Sequence, residues 1–257
     1  MTYAVMQTAH EPPSGEQLKN AFQNVPGLTA VDVSILGKDA FGVVVKGLDL
    51  EQASAMRSAL AAQGVNTEVV EEAALVELPP PKQLTKAELT SEAFLIYDVL
   101  GRSSPLAWHD ILVLAAGRVR LTEFNAELVD KVVMKRVGRR LVPTVVTESV
   151  KKEEQKDHLL LEIITAGASL RYRAVADRPE AMLLFQCLGE RRTRDPAMNL
   201  FLLVQELAEF APDALPNHGA YYMCENGDPL FSYPSQTAFY REITWLLWMV
   251  SSGRVQP

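Results

Sequence analysis

Tyr3-Ala4-Val5-Met6-Gln7-Thr8-Ala9 opens the stretch that decides the fold, residues 3–70, and reads as a strand. Ser14 and Gln17 follow at capping-box spacing, and Leu18, Ala21, Phe22 and Val25 then fall at i, i+3, i+4 and i+7, an apolar stripe on one helix face. Pro26-Gly27 stops that helix. Val31, Val33 and Ile35 alternate with polar residues, Gly37-Lys38-Asp39 supplies a turn, and Phe41 to Lys46 is a second β-rich run, so the pair reads as a hairpin. Asp49, with Gln52 three residues on, opens a second helix whose Ala53, Met56 and Leu60 face inward. Gly64 ends it, and Val65 to Val70 is the last strand.

The order is βαββαβ, in which right-handed crossovers place both helices on one face of a four-stranded antiparallel sheet. On these residues the segment resembles a ferredoxin-like module, which implies a regulatory, metal-carrying, RNA-binding or protein-interaction domain and selects none of them. The residues narrow the choice. A metal carrier of this type needs a CxxC in its first loop, and here the loop reads His10-Glu11-Pro12-Pro13-Ser14-Gly15. An RNA binder needs stacking aromatics on its central strands, and residues 38–45 offer only Phe41.

Leu78-Pro79-Pro80-Pro81-Lys82-Gln83 breaks the pattern and reads as a stiff spacer. The expected organisation is a ferredoxin-like module over 1–76, a proline-rich linker over 77–88, and an antiparallel α+β domain over 89–257 with a charged insertion at 122–157. Ala93 to Leu100 and Ala107 to Ala115 read as strands around a Gly101-Arg102 turn, and His158 to Thr165 and Ser169 to Ala176 as a second pair. Asp195-Pro196 is an N-cap and N1 pair opening a helix with Leu200, Leu203, Val204 and Leu207 inward, and a last helix runs from about Ser235 to Val250. The short strand, Gly-Arg turn and Pro105-x-x-Trp108-x-x-Ile111 are similar to the opening hairpin of pleckstrin-homology-like barrels. That resemblance implies a binding or scaffolding role without catalysis.

At 257 residues and 22% charged, the chain is long enough for one large domain or two modest ones with cores of their own. No apolar run approaches a bilayer span, and Met1 to His10 lacks the features of a secretory signal, so a cytoplasmic protein is expected. Cys187 and Cys224 stand alone, without disulfide or zinc spacing. The net charge of −7 argues against nonspecific nucleic-acid binding, which depends on counterion release by Lys and Arg. The charge is uneven: residues 1–80 carry four basic and ten acidic side chains, whereas Lys131, Lys135, Arg136, Arg139 and Arg140 crowd together. Residues 122–157 read as a helix followed by an extended arm or mobile insertion, and the five cations are candidates for holding an acidic partner or a phosphate-bearing ligand.

Catalytic patterns are absent from the sequence. There is no GxxxxGK[ST], no GxGxxG and no GxSxG, and His109-Asp110 near Ser103 and Ser104 has the residue types of acyl transfer without the spacing. His218, Cys224, Asp228 and Cys187 match no zinc pattern, so neither a metal nor a cofactor is expected. The aromatics Tyr221, Tyr222, Tyr240, Trp245 and Trp248, in a cluster with Phe231, Tyr233 and Phe239, are candidates for a pocket wall or a partner groove, with core packing as the plainer reading. The expectation is therefore a noncatalytic binding or adaptor protein acting on another protein or on itself. Two alternatives remain, a small-ligand-sensing regulatory protein and an enzyme with no recognisable motif.

Overall fold

The computed structural model describes residues 1–23, 25, 40–137, 140–225 and 231–255, with the side chains of 125, 127, 135–137 and 140–145 outside the description. It is a mixed α+β structure with several sheets. In chain order the first elements are β1 (Tyr3–Gln7), α1 (Gly15–Gln23), β2 (Val43–Leu48), α2 (Leu50–Ala62) and β3 (Thr67–Glu71). The strands β4 (Lys82–Gln83), β5 (Lys86–Leu89), β6 (Ala93–Tyr97), β7 (Ser103–Ala107), β8 (Ile111–Val137), β9 (Arg140–Thr165) and β10 (Arg171–Val175) follow. The chain closes with α3 (Pro196–Phe210), β11 (Leu215–Pro216), α4 (His218–Glu225), β12 (Ser232–Tyr233) and α5 (Gln236–Ser251). Packing gives two units, Met1–Val119 with His158–Pro257, and Arg120–Asp157.

Both early helices start as their capping residues require. Ser14 N donates to Gln17 Oε1 at 2.9 Å while Gln17 N donates to Ser14 Oγ at 3.2 Å, and Asp49 and Gln52 make the same exchange. Their apolar stripes join Val5, Val44 and Val45 in one buried cluster with Leu18, Phe22, Met56 and Leu60. β1 is the middle strand of the order β2-β1-β3 and runs antiparallel to both neighbours. The expected strand at Val31–Ile35 and its turn at 37–39 lie outside the described residues.

The opposite face of β1 is buried as well, at Ala4 and Met6. Helix α5 reaches this end of the sheet, where Trp245 Nε1 donates to the Gln7 carbonyl at 2.6 Å. Gly42 makes the approach possible. Its φ is +69°, and a Cβ there would lie 2.6 Å from Trp245 Cβ, so neither the backbone nor the space admits a side chain.

A second core is built from residues 84–223, with Phe94, Trp108, Phe185, Leu203 and Leu207 among its members. Helix α3 begins on Asp195, whose side chain accepts from Ala197 N, with Pro196 in the first turn. Strands β5, β6 and β7 form one antiparallel sheet, and the other follows the order β11-β8-β9-β10-β4 with β12 also paired to β8. The returning strand expected at Ala107–Ala115 needs correction: β7 starts at Ser103, and Trp108–Asp110 is a single 3-10 turn before β8. That turn sets Trp108 to stack on Phe210, ring centroids 4.7 Å apart.

β9, β10 and α5 are tied together by one buried carboxylate. Glu162 accepts from Arg171 Nε and Nη2 at 2.7 and 2.9 Å, from Arg173 Nε at 2.6 Å, and from the Tyr240 hydroxyl at 2.7 Å. Burial, and after it the Glu162 charge, pushes the Tyr240 hydroxyl up to about 12 from its ordinary 10.0. The folded protein thus keeps a proton that the unfolded chain gives up. The resulting stabilisation is fully present below about pH 10 and is lost as pH rises through about 12, roughly 2–3 kcal/mol in all. Urea midpoints measured across this range are expected to fall above about pH 10, and Tyr240→Phe is expected to make the fall shallower. An identical slope in the variant would contradict this role for Tyr240.

The unit Arg120–Asp157 is a two-stranded ribbon formed by parts of β8 and β9, not the helix and extended arm expected from its charge density. The reason is visible in the residues between the charges, where Thr122, Phe124, Val129, Val132 and Val133 favour strand, and cross-strand pairs then absorb many of the charges. Arg120 Nε meets Asp157 at 2.9 Å, Lys131 Nζ meets Glu148 at 2.7 Å, and Thr147 Oγ1 donates to Asp130 at 2.6 Å.

Candidate functional site

The site is assembled around the start of α4. Asn217, just before the helix, accepts from Ala116 N and from Ala220 N, both at 2.9 Å, and donates to the Ala116 carbonyl at 3.1 Å. One amide side chain therefore caps the helix and clips it to β8. The contact is so close that a Cβ on Gly219 would lie 1.9 Å from the Ala116 carbonyl oxygen. Only glycine fits.

This anchoring aims His218 at α5. Glu242, buried in α5, accepts from His218 N at 2.7 Å and lies 2.6 Å from His218 Nδ1 through the same oxygen, while its other oxygen accepts from the Tyr233 hydroxyl at 2.5 Å. A carboxylate only accepts, so Nδ1 carries the shared proton and Nε2 is the ring's other polar atom. Tyr233 in turn accepts from Asn217 Nδ2 at 2.8 Å and from Gly219 N at 3.2 Å. Burial first, and then the charge of Glu242, holds the Tyr233 hydroxyl well above the ordinary tyrosine range, so it stays a donor.

Two adjoining cavities border this network, of about 550 and 240 Å³, and Pro12, His218, Tyr222 and Glu242 line both. Aromatic rings supply much of the wall. Tyr222 stacks on Phe231 with centroids 5.5 Å apart and planes 8° from parallel, Phe41 meets the His218 ring edge-on at 4.6 Å, and His10 meets Trp245 at 5.2 Å. The walls come from the loop after β1, the start of α1, the residues just before β2, β11, α4, the segment around β12 and α5.

Of the aromatics singled out in the sequence, Tyr221, Tyr222 and Trp245 come together on the larger cavity. Tyr240 belongs instead to the Glu162 network, and Trp248 is buried beneath the Arg254 guanidinium, 5.0 Å from its ring centre. Among the cations, Lys131 is paired with Glu148, while Lys135, Arg136, Arg139 and Arg140 lie outside the residues whose side chains are described. His109 faces Asp110 at 3.6 Å on an exposed turn, and Ser103 and Ser104 are exposed on β7. Cys187 and Cys224 are free thiols packed against the second core, with burial pushing Cys187 up to about 11. Asp228 lies outside the described residues, among which no group of three or more His, Cys, Asp or Glu could hold a metal ion.

His218 entered the sequence reading only as a metal ligand and Tyr233 only as one of the clustered aromatics, and Glu242, Asn217 and His10 did not enter it as site residues. One signal was available: Glu242 interrupts the apolar face made by Phe239, Ile243 and Leu246, and a lone acid inside a buried stripe needs a partner. Compared with protein-family models, with the curated proteins and with the solved structures, the chain matches none.

Proposed function

We propose that this is a noncatalytic binding protein that senses a small molecule, flat and largely apolar with one hydrogen-bonding group, in the cleft beside His218. The observation that carries the reading is the convergence of Pro12, His218, Tyr222 and Glu242 on two adjoining cavities. Small-molecule sites are concave and mostly apolar, with a few placed polar groups that fix orientation. The near-parallel Tyr222 and Phe231 rings favour a planar guest, and the imidazole held by Glu242 offers the polar contact.

The architecture we attach to this reading is a ferredoxin-like module over 1–76, a linker over 77–88 and a pleckstrin-homology-like domain over 89–257 with the insertion at 122–157. Its support is the antiparallel order β2-β1-β3 with two helices in one cluster, the separation of buried residues 5–65 from 84–223, and a three-stranded and a six-stranded sheet with the helices α3 and α5 late in the chain. On this division the cleft joins residues of both parts, so a ligand there would change how they hold each other. We place the protein in the cytoplasm, where its two free thiols would persist.

The test is a thermal-shift screen of the full chain against flat metabolites. A true ligand is expected to raise the unfolding midpoint in proportion to the logarithm of its concentration once well above Kd, and Tyr222→Ala is expected to abolish the response. Silence across a broad library, or an undiminished response in the variant, would sink the proposal. A catalytic reading has one specific observation in its favour, the carboxylate-oriented imidazole, which is the arrangement of a general base. Chemical turnover of a bound compound, lost in His218→Gln, would establish that reading instead.

A further inference from the structure

The charges around the cleft beside His218 select the kind of molecule it would take. Among the described residues, Glu11 and Glu242 line it and no lysine or arginine does. With the lining His10 and His218 both neutral the walls carry two negative charges, and with both protonated the sum reaches zero, so the cleft is never net positive. Glu242 shows the same imbalance at closer range. Its buried carboxylate is held by His218 and the Tyr233 hydroxyl, whereas the equally buried Glu162 is paired with two guanidiniums. Buried carboxylates are seldom left without a full cation beside them.

Anions also lose their usual holds here. The start of α4 borders the cleft, but its first three N–H groups are already taken, His218 N by Glu242, Gly219 N by the Tyr233 hydroxyl and Ala220 N by Asn217. None of the three is left for a phosphate or carboxylate at this helix end. Helix α1, which meets the smaller cavity at Gly15, carries Glu16 in its first turn, and that charge opposes an anion there.

What remains fits a cation that donates hydrogen bonds. The proton shared with Glu242 sits on His218 Nδ1, so in the neutral ring Nε2 accepts, and the group that meets it must donate. Tyr221, Tyr222 and Trp245 share the larger cavity with Glu11, and aromatic rings beside a carboxylate hold organic ammonium groups by ring quadrupole and ion pair together. The smaller cavity adds Phe41, Phe231 and Tyr233, the surroundings of a flat ring. Resting on the cleft reading above, we propose that the guest is an aromatic amine, its ring in the smaller cavity and its ammonium group in the larger one near Glu11, and that flat acids and phosphates are rejected.

The test compares three compounds that share one ring, tryptamine, indole and indole-3-acetate, titrated into the full chain by ligand-observed NMR. Tryptamine should bind about tenfold or more tightly than indole-3-acetate, with indole between them. Glu11→Lys should weaken tryptamine about tenfold and strengthen indole-3-acetate. The thermal midpoint of the free variant should not move, because Glu11 is exposed. Tyr222→Ala should remove tryptamine from the cleft. If indole-3-acetate binds as well as tryptamine and both are lost in Tyr222→Ala, the amine is the wrong class while the cleft reading stands. Tryptamine binding indifferent to Glu11→Lys overturns the proposal as well. Silence from all three compounds also overturns it, and the screen of flat metabolites then decides the cleft separately.

Discussion

Alanine at position 219 is expected to lower the midpoint of thermal unfolding by about 10 °C, an outsized effect for one methyl group. Its Cβ would sit 1.9 Å from the Ala116 carbonyl oxygen and 2.9 Å from the carbonyl carbon, and neither belongs to a flexible side chain that could swing away. Relief requires the start of α4 to back off β8 by more than an ångström. That motion stretches both bonds from Asn217 to Ala116 and the bond from Gly219 N to the Tyr233 hydroxyl. Overpacking and the weakened hydrogen bonds together cost about 3 kcal/mol or more, and each kcal/mol is worth about 2–4 °C in a chain of this size. Because His218 moves with the helix, ligand response should fall together with stability. A variant as stable as the parent would show that α4 does not pack as closely as this.

Glu242→Ala should be at least as damaging, for an electrostatic reason. The carboxylate is the shared acceptor for His218 N, His218 Nδ1 and the Tyr233 hydroxyl, at 2.7, 2.6 and 2.5 Å. Removing it strands three donors at a buried position, and each unsatisfied donor costs about 1–3 kcal/mol, with water in the adjoining cavity recovering part of the loss. The net expectation is about 4 kcal/mol. Glu242→Gln keeps one acceptor oxygen for the two His218 donors but turns an NH₂ group toward Tyr233, whose hydroxyl already accepts from Asn217 and Gly219. Its cost should be about half that of the alanine variant, read from chemical denaturation of the three proteins side by side. Equal costs for alanine and glutamine would mean that the carboxylate charge, not its acceptor geometry, holds the network.

The elements legible in the sequence were those whose signals are local. Reciprocal capping at Ser14 and Gln17, the Asp49 to Gln52 box and the Asp195-Pro196 start are each settled within four residues, and the structure places helices at all three. The ribbon misled because its charge density was read as helix or arm, whereas alternation across two strands, with Lys131 opposite Glu148, needs a register that spans 17 residues. The site was harder still. His10, His218, Tyr233 and Glu242 come from four separate segments, and their meeting depends on Asn217 binding Ala116, 101 residues away. No spacing rule links them. What the sequence did offer was a chemical anomaly, Glu242 in an apolar helix, and the aromatic crowding at Tyr221, Tyr222 and Trp245 that the structure brings to one cavity wall.

The most direct test of the proposed ligand sensing is a native mass spectrum of the full chain purified gently from its own host, run beside Tyr222→Ala. The expected result is a population carrying a few hundred daltons of extra mass, released on unfolding and absent from the variant, whatever the number of chains in the particle. Bare protein in both spectra, or an added mass that Tyr222→Ala retains, would contradict a ligand in the cleft beside His218.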